Sequence, residues 1–81
     1  MISNEQLEQQ LKQCPGVEYV AVSGDGYHYQ ITLVSDNFVG KPKVARQQWV
    51  YAQLQHYITA GSLHALSMKT WTLEEWEKNR G

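Results

Sequence analysis

The strongest constraint on the fold is a β-hairpin signal in the first half of the chain. The segments Val17–Ser23 and Tyr27–Ser35 are rich in β-branched and aromatic residues, as strands usually are. Between them stands the turn signal Gly24-Asp25-Gly26. Because so short a connection joins neighbouring antiparallel strands, the sequence predicts that the two segments pair as a hairpin.

A helix is predicted before the hairpin. Ser3 and Gln6 have the spacing of a capping box, which indicates a helix that begins at about Asn4. Pro15-Gly16 would end it. Its buried stripe is predicted from the i, i+4, i+7 spacing of Leu7, Leu11 and Cys14.

A longer helix and a third strand are predicted after the hairpin. The helical pattern runs from Lys43 to about Thr59 and ends near Gly61. Its predicted buried face consists of Val50, Tyr51, Leu54 and Ile58. The strand runs from Leu63 to Thr70, with Leu66 and Met68 turned to the core.

The last predicted element is a short helix that begins at Thr72 or Leu73. Thr72 and Glu75 form a second capping box, and Trp71 and Trp76 occupy the staple positions around it. The element order is therefore αββαβα. The crossover from the second to the third strand favours a right-handed unit with a parallel pairing somewhere in the sheet. We therefore expect an α+β fold with a three-stranded mixed sheet and helices packed on one face.

Composition restricts the class of protein. Eighty-one residues predict a single domain, 1–81, with no apolar run long enough to span a membrane. A lone cysteine fits a reducing compartment, so a cytoplasmic location is expected. The net charge of −1 argues against tight, sequence-blind nucleic-acid binding. No nucleophile with a supporting base and no phosphate-binding motif is present, so no enzymatic activity is expected.

The sequence contains several short motifs whose order and spacing together are more specific than any one motif alone. Together, over roughly residues 5 to 77, they resemble the BolA family and most closely its short bacterial, IbaG-like branch. The resemblance implies the αββαβα arrangement, which has been likened to a type II KH domain. The motifs are Gly24-Asp25-Gly26 followed by His28-Tyr29, Phe38-x-Gly40, Arg46-Gln47 before Val50-Tyr51 and Leu54, and Leu63-His64-Ala65-Leu66 with Thr72 and Trp76 beyond.

His64 is the main candidate for chemistry. It stands at the head of the third predicted strand, in phase with Leu66 and Met68. A histidine there is either a partly buried side chain bonded to the backbone or a metal ligand, since imidazole binds iron well. The resemblance implies the second role: a ligand to a [2Fe-2S] cluster that is shared with a monothiol glutaredoxin, with glutathione as an external ligand.

The chain has too few ligands to hold such a cluster by itself. A [2Fe-2S] cluster takes four ligands, whereas this sequence has one cysteine and no Cys-x-x-Cys pair. Cys14 is interpreted as a small buried hydrophobic residue rather than a redox thiol. We therefore expect an isolated chain without cofactor, a monomer or weak homodimer, that binds the cluster only together with its partner.

The second ligand from this chain is left open. In the family it comes from the loop between the first two strands, and the matching position here is Asp25, a departure because carboxylates are poor ligands for cluster iron. His28 lies nearby but matches the histidine of the family's Ser-His-Phe motif. Either residue could ligate, the cluster could be labile, or the two could be a turn residue and an exposed strand residue. His56 is interpreted as solvated surface.

A basic corner carries the alternative function. Lys41, Lys43 and Arg46 precede or begin the long helix, where an anion could bind, and some members of the family are regarded as DNA-binding transcriptional regulators of the stress response. A true KH domain grips nucleic acid with a GxxG loop, and only Gly40 stands in the matching region. Trp49, beside this corner, is either an exposed interface anchor or half-buried at the edge of the sheet.

Overall fold

A computed structural model describes residues 2–79. Their elements follow the predicted αββαβα order, with the long helix divided in two and a single 3₁₀ turn, Asp36–Phe38, after the second strand. The helices and strands are α1 (Asn4–Lys12), β1 (Val17–Gly24), β2 (His28–Ser35), α2 (Lys43–Gln53), α3 (Gln55–Thr59), β3 (Ala65–Trp71) and α4 (Leu73–Asn79).

The three strands form one mixed sheet with β2 at its centre. β1 pairs with β2 antiparallel, as the hairpin signal predicts, and β3 pairs with β2 in parallel. α2 and α3 lie between β2 and β3 in the chain, so they form the crossover that a parallel pairing needs. The predicted α+β class and mixed three-stranded sheet are confirmed.

The hydrophobic core lies between one face of this sheet and helices α1, α2 and α3. Alternate residues of β2 enter it: Tyr29, Ile31 and Leu33 are almost fully buried, and the register places Val22 and Met68 on either side of Ile31. Burial of large apolar side chains is the main source of stability in so small a fold. The helical side chains that complete the core are Leu7, Leu11, Val50 and Leu54, with Tyr57 and Ile58 packed against it.

Helix α4 covers one end of the opposite face. Tyr19, Val34 and Trp71 pair across the three strands one position away from the core row, and therefore point to that second face. Trp76 of α4 stacks on Tyr19 with ring centroids 5.2 Å apart and lies 6.3 Å from Trp71. Helices α1 to α3 therefore pack on one face of the sheet, as predicted. The tryptophan staple of Trp71 and Trp76 instead packs α4 on the opposite face.

The long helix is interrupted at Leu54. Its backbone leaves the helical region (φ −111°, ψ 9°), and its N–H donates to the carbonyl of Tyr51, three residues back. Leu54 is fully buried, whereas Tyr51 is 39% exposed. The prediction that Tyr51 belongs to the buried face is therefore wrong, because Tyr51 follows buried Val50 directly and points about 100° away from it around the helix.

Both predicted capping boxes are present. Ser3 and Gln6 exchange hydrogen bonds of 2.9 and 3.1 Å between side chain and backbone, and Thr72 and Glu75 do the same at 2.9 and 3.1 Å. Cys14 lies two residues beyond the end of α1 and is half-buried, so it extends the Leu7–Leu11 stripe only loosely. Among residues 2–79, no helix has the length and apolar character needed to cross a bilayer.

Candidate functional site

His28 and His64 lie beside each other at one end of the sheet. His28 is the first residue of β2 and pairs with Ala65, the first residue of β3, so His64 immediately precedes the partner of His28. The N–H of Ala65 donates to the carbonyl of Tyr27 at 3.3 Å and holds the two chain segments together at this point. Neighbouring strands lie about 4.8 Å apart, so the two histidine backbones are close neighbours.

Both imidazoles are open to solvent. His64 and His28 are exposed, and neither side chain makes a hydrogen bond to the residues that the structure describes. His64 is therefore not the partly buried histidine of the alternative interpretation. Its ring nitrogens are free to meet a ligand from outside the chain, which is the condition that a shared metal site requires.

Asp25 is committed to the turn between β1 and β2. Its Oδ1 accepts the N–H groups of Tyr27 and His28, both at 2.9 Å, and these two hydrogen bonds lower the pKa of the Asp25 carboxyl. The interpretation of Asp25 as a turn residue accounts for this geometry. Through its bond to the N–H of His28, the carboxylate holds the backbone that carries the His28 ring. Asp25 and His28 also line one shallow hollow of about 280 Å³.

The turn also depends on Gly24. Its φ is +156°, and a Cβ at this position would lie 2.3 Å from the carbonyl oxygen of His28. No real Cβ tolerates such an approach, so only glycine lets the turn close. Gly24, Asp25 and the backbone of His28 thus form one tight, hydrogen-bonded turn at the end of the sheet.

The donor set fits part of an iron–sulfur site and not a whole one. Across residues 2–79 no group of three His, Cys, Asp or Glu side chains is placed to hold a metal ion. Cys14 donates weakly to the carbonyl of Gln10 at 3.7 Å and lies 3.6 Å from Oε1 of Gln53. Burial raises the pKa of this thiol, which favours the protonated form that does not bind metal. Two free imidazoles therefore remain as the best ligands that this chain can contribute.

Arg46 has a structural role that the sequence did not reveal. Its guanidinium is buried and donates to the carbonyls of Lys41 and Thr70, at 2.8 and 3.2 Å. Two further bonds, of 2.7 and 3.2 Å, reach the carboxylate of Glu75. The predicted basic corner is thus divided: Lys41 and Lys43 line a surface groove, and the charge of Arg46 is already neutralised within the fold.

Trp49 and Lys69 lie on either side of this division, one packed against the core and one at the surface groove. Trp49 is half-buried and packs edge-on against Phe38, with ring centroids 5.5 Å apart, so packing at the edge of the core accounts for it. Lys69 of β3 joins Lys41 and Lys43 along the groove, which measures about 610 Å³. The predicted site did not include Lys69. The available signal was that Lys69 follows core-facing Met68 in the third strand and therefore faces away from the core. His56 is exposed, as expected.

Comparison with known proteins agrees with this architecture. Residues 4–75 match the family of BolA-like proteins, and the chain belongs to that family. A Bol-like protein from Babesia bovis has the same fold, with a TM-score of 0.85, 26% identity, and coverage of 100% of this chain and 96% of the other.

Within the family the chain lies with the IbaG-like members. It is 37% identical to the acid stress protein IbaG of Escherichia coli K12, over 98% of this chain and 94% of the relative. Its identity to the DNA-binding transcriptional regulator BolA of the same organism is 28%, over 95% of this chain and 82% of the relative.

Proposed function

We propose that this protein is a non-enzymatic adaptor that binds a monothiol glutaredoxin and shares a [2Fe-2S] cluster with it, in cluster trafficking or iron regulation. The observation that supports the proposal most is that the side chains of His28 and His64 are exposed and make no hydrogen bonds to the residues described, and that their backbones are neighbours at one end of the sheet. Histidine ligation of one iron is known cluster chemistry and raises the reduction potential. The cluster would supply electron-transfer or iron-sensing chemistry when bound.

The partner follows from the ligands that are missing. His64 and one further group can satisfy one iron, and the thiolates for the other iron have to come from the cysteine of a glutaredoxin and from glutathione. Cys14 is half-buried and its raised pKa disfavours the thiolate, so it does not fill this role. We place the complex in the cytoplasm, where thiols remain reduced.

For the second ligand we propose His28 rather than Asp25. Asp25 already accepts two backbone hydrogen bonds, and a carboxylate is a hard ligand that suits cluster iron poorly. His28 has a softer imidazole and lies opposite Ala65, next to His64. Because Asp25 fixes the backbone N–H of His28, it acts in this proposal as a positioning residue.

The test is reconstitution with the partner. Co-expression of the chain with a monothiol glutaredoxin is expected to give a complex with the visible absorption and circular dichroism of a histidine-ligated cluster. The His64→Ala variant is expected to lose or shift these bands, whereas His56→Ala, which removes another exposed histidine, is expected to leave them unchanged. An unchanged spectrum in His64→Ala would refute the ligand role.

DNA binding is the alternative proposal, and fewer observations support it than support the shared cluster. A relative named as a DNA-binding regulator belongs to the same family, and Lys41 and Lys43 line one groove. Against it, Arg46 is paired with Glu75 and the chain has a net charge of −1. Binding that is absent in a gel shift at moderate salt, or that is unaffected by Lys43→Glu, would exclude this alternative.

A further inference from the structure

The outer edge of β3 presents backbone groups that no other strand of residues 2–79 uses. β3 pairs only with β2, on its inner side. The N–H of Ala65 points inward to Tyr27, whereas the carbonyl of Thr70 points outward and accepts from Arg46. Because successive backbone groups alternate between the two edges of a strand, those of Met68 and the N–H of Thr70 also face outward.

This edge forms one wall of the groove of about 610 Å³ that Lys41, Lys43 and Lys69 line. In the part of the chain that the structure describes, none of these three lysines forms an ion pair. Lys43 and Lys69 are exposed. The groove therefore joins a strand edge that pairs with no other strand, and whose Thr70 carbonyl is bonded to Arg46, to three uncompensated positive charges.

We propose that this groove binds an extended acidic segment of a partner protein, which adds to the sheet as a fourth strand beside β3. Main-chain hydrogen bonds to the N–H and carbonyl of Met68 and to the N–H of Thr70 would supply affinity, since the Thr70 carbonyl is bonded to Arg46. Carboxylates facing the three lysines would supply selectivity. A second copy of this chain fits less well, since two such edges would bring their lysines together, an arrangement that protects edge strands from self-association.

Nucleic acid fits the groove less well than an acidic peptide does. The guanidinium of Arg46 is held by Glu75, so bidentate contacts to phosphate are not available from it. Phosphate chains also make no use of a strand edge with alternating donors and acceptors. An acidic peptide uses both properties of the groove.

The inference goes beyond the shared cluster and does not depend on it. Met68 and Thr70 lie four and six positions along the chain from His64, so the strand separates the groove from the histidines by about 10 to 20 Å. The peptide can be tested on the isolated chain without iron or glutaredoxin. Failure of either proposal therefore leaves the other standing.

The probe is a blocked synthetic peptide of alternating glutamate and valine, titrated into the isotope-labelled chain. Amide shifts are expected to change along the outer edge of β3, with slower hydrogen exchange at Met68 and Thr70. A peptide of alternating glutamate and proline has the same charge but lacks half of the backbone donors. It is expected to bind at least about tenfold more weakly, a difference of about 1.4 kcal/mol.

Charge is tested with the double variant Lys43→Glu/Lys69→Glu. Both side chains are exposed, so the variant is expected to fold, and binding of the glutamate–valine peptide is expected to weaken at least about tenfold. Lys12→Glu, an exposed change on α1, is the control and is expected to bind like the wild type. His64→Ala is likewise expected to bind the peptide normally.

Several results would overturn the proposal. These are the absence of shifts at Met68 and Thr70 with millimolar peptide, or equal binding of the glutamate–proline peptide. Tighter binding of single-stranded DNA with shifts at the same amides would assign the groove to nucleic acid. Protection of the same amides that depends on protein concentration, without peptide, would assign it to a second copy of the chain.

Discussion

Arg46 and Glu75 form a two-bond ion pair that joins α2 to α4. Nη1 lies 2.7 Å from Oε1 and Nη2 lies 3.2 Å from Oε2 of the same carboxylate. Oε1 also accepts the N–H of Thr72, the cap of α4, at 2.9 Å. Since Arg46 donates to the carbonyl of Thr70 as well, one carboxylate and one guanidinium connect two helices with the end of β3.

The first prediction concerns the pH dependence of stability. The Arg46 hydrogen bonds, aided by the backbone of Thr72, lower the pKa of Glu75 from 4.5 to about 2. Because the carboxyl is more acidic in the folded state, its contribution is fully present above about pH 4.5 and is lost as the pH falls towards 2. We expect Glu75→Gln to lower the free energy of unfolding at pH 7 by about 1 kcal/mol, since the side chain is partly exposed and water screens the pair.

Urea denaturation at several pH values measures this effect, with Glu74→Gln as the control. Glu74 pairs with Lys78 at 3.0 Å, but both side chains are at least 70% exposed, so the control is expected to change stability little. The difference between wild type and Glu75→Gln should shrink between pH 5 and about pH 2. A difference that stays constant across this range would show that the charge of Glu75 does not carry the stabilisation.

The second prediction separates the two candidates for the second cluster ligand. Asp25→Asn keeps an oxygen that accepts from Tyr27 and His28, so the turn is expected to persist while the charge is removed. In complex with a glutaredoxin, we expect the cluster spectrum to survive in Asp25→Asn and to shift in His28→Ala. The reverse pattern, measured by visible circular dichroism, would make Asp25 the ligand.

The third prediction tests the turn that positions His28. We expect Gly24→Ala to destabilise the fold by on the order of 2 kcal/mol, because its Cβ would strike the carbonyl of His28. Gly40→Ala is the matched control: its φ is +77°, yet a Cβ there meets nothing within 4 Å, so a loss of about 1 kcal/mol is expected. Thermal unfolding of both variants gives the comparison, and equal losses would mean that the contact at His28 relaxes.

The fourth prediction concerns Cys14. Burial raises the pKa of this thiol, so the thiolate is scarce at neutral pH and alkylation by iodoacetamide should be slower than for a free cysteine peptide. Cys14→Ser is expected to leave the cluster spectrum of the complex unchanged. Rapid alkylation in the folded protein, or loss of the cluster in Cys14→Ser, would restore a redox or ligand role for this residue.

Local signals in the sequence predicted most of the fold. The glycine-flanked hairpin and both capping boxes depend on residues within a few positions of each other, and all three are present. The interruption at Leu54 was missed because the hydrophobic pattern on both sides of it continues a helical period. The interruption shows in the backbone angles of Leu54 and in the tightened hydrogen bond from its N–H to the carbonyl of Tyr51.

The site was predicted less completely because its contacts are distant in sequence. For His64 and Asp25 the sequence left two interpretations each, and the structure shows an exposed imidazole and a turn carboxylate. Arg46 was grouped with Lys41 and Lys43 by proximity in the chain, whereas its partner Glu75 lies 29 residues away. Only the packing of α4 against α2 shows that Arg46 is bound inside the fold by Glu75. Lys69 is exposed instead and lies with Lys41 and Lys43 along the surface groove.

The parallel pairing of β3 with β2 has a consequence for the order in which the molecule matures. His28 belongs to a hairpin that can form as soon as its own residues leave the ribosome, whereas His64 reaches its neighbour only after α2 and α3 have been synthesised and the last strand has docked. A nascent or damaged chain therefore lacks the neighbouring positions of His28 and His64. Under the proposed function, only molecules that have completed their fold would present both histidines to a shared cluster.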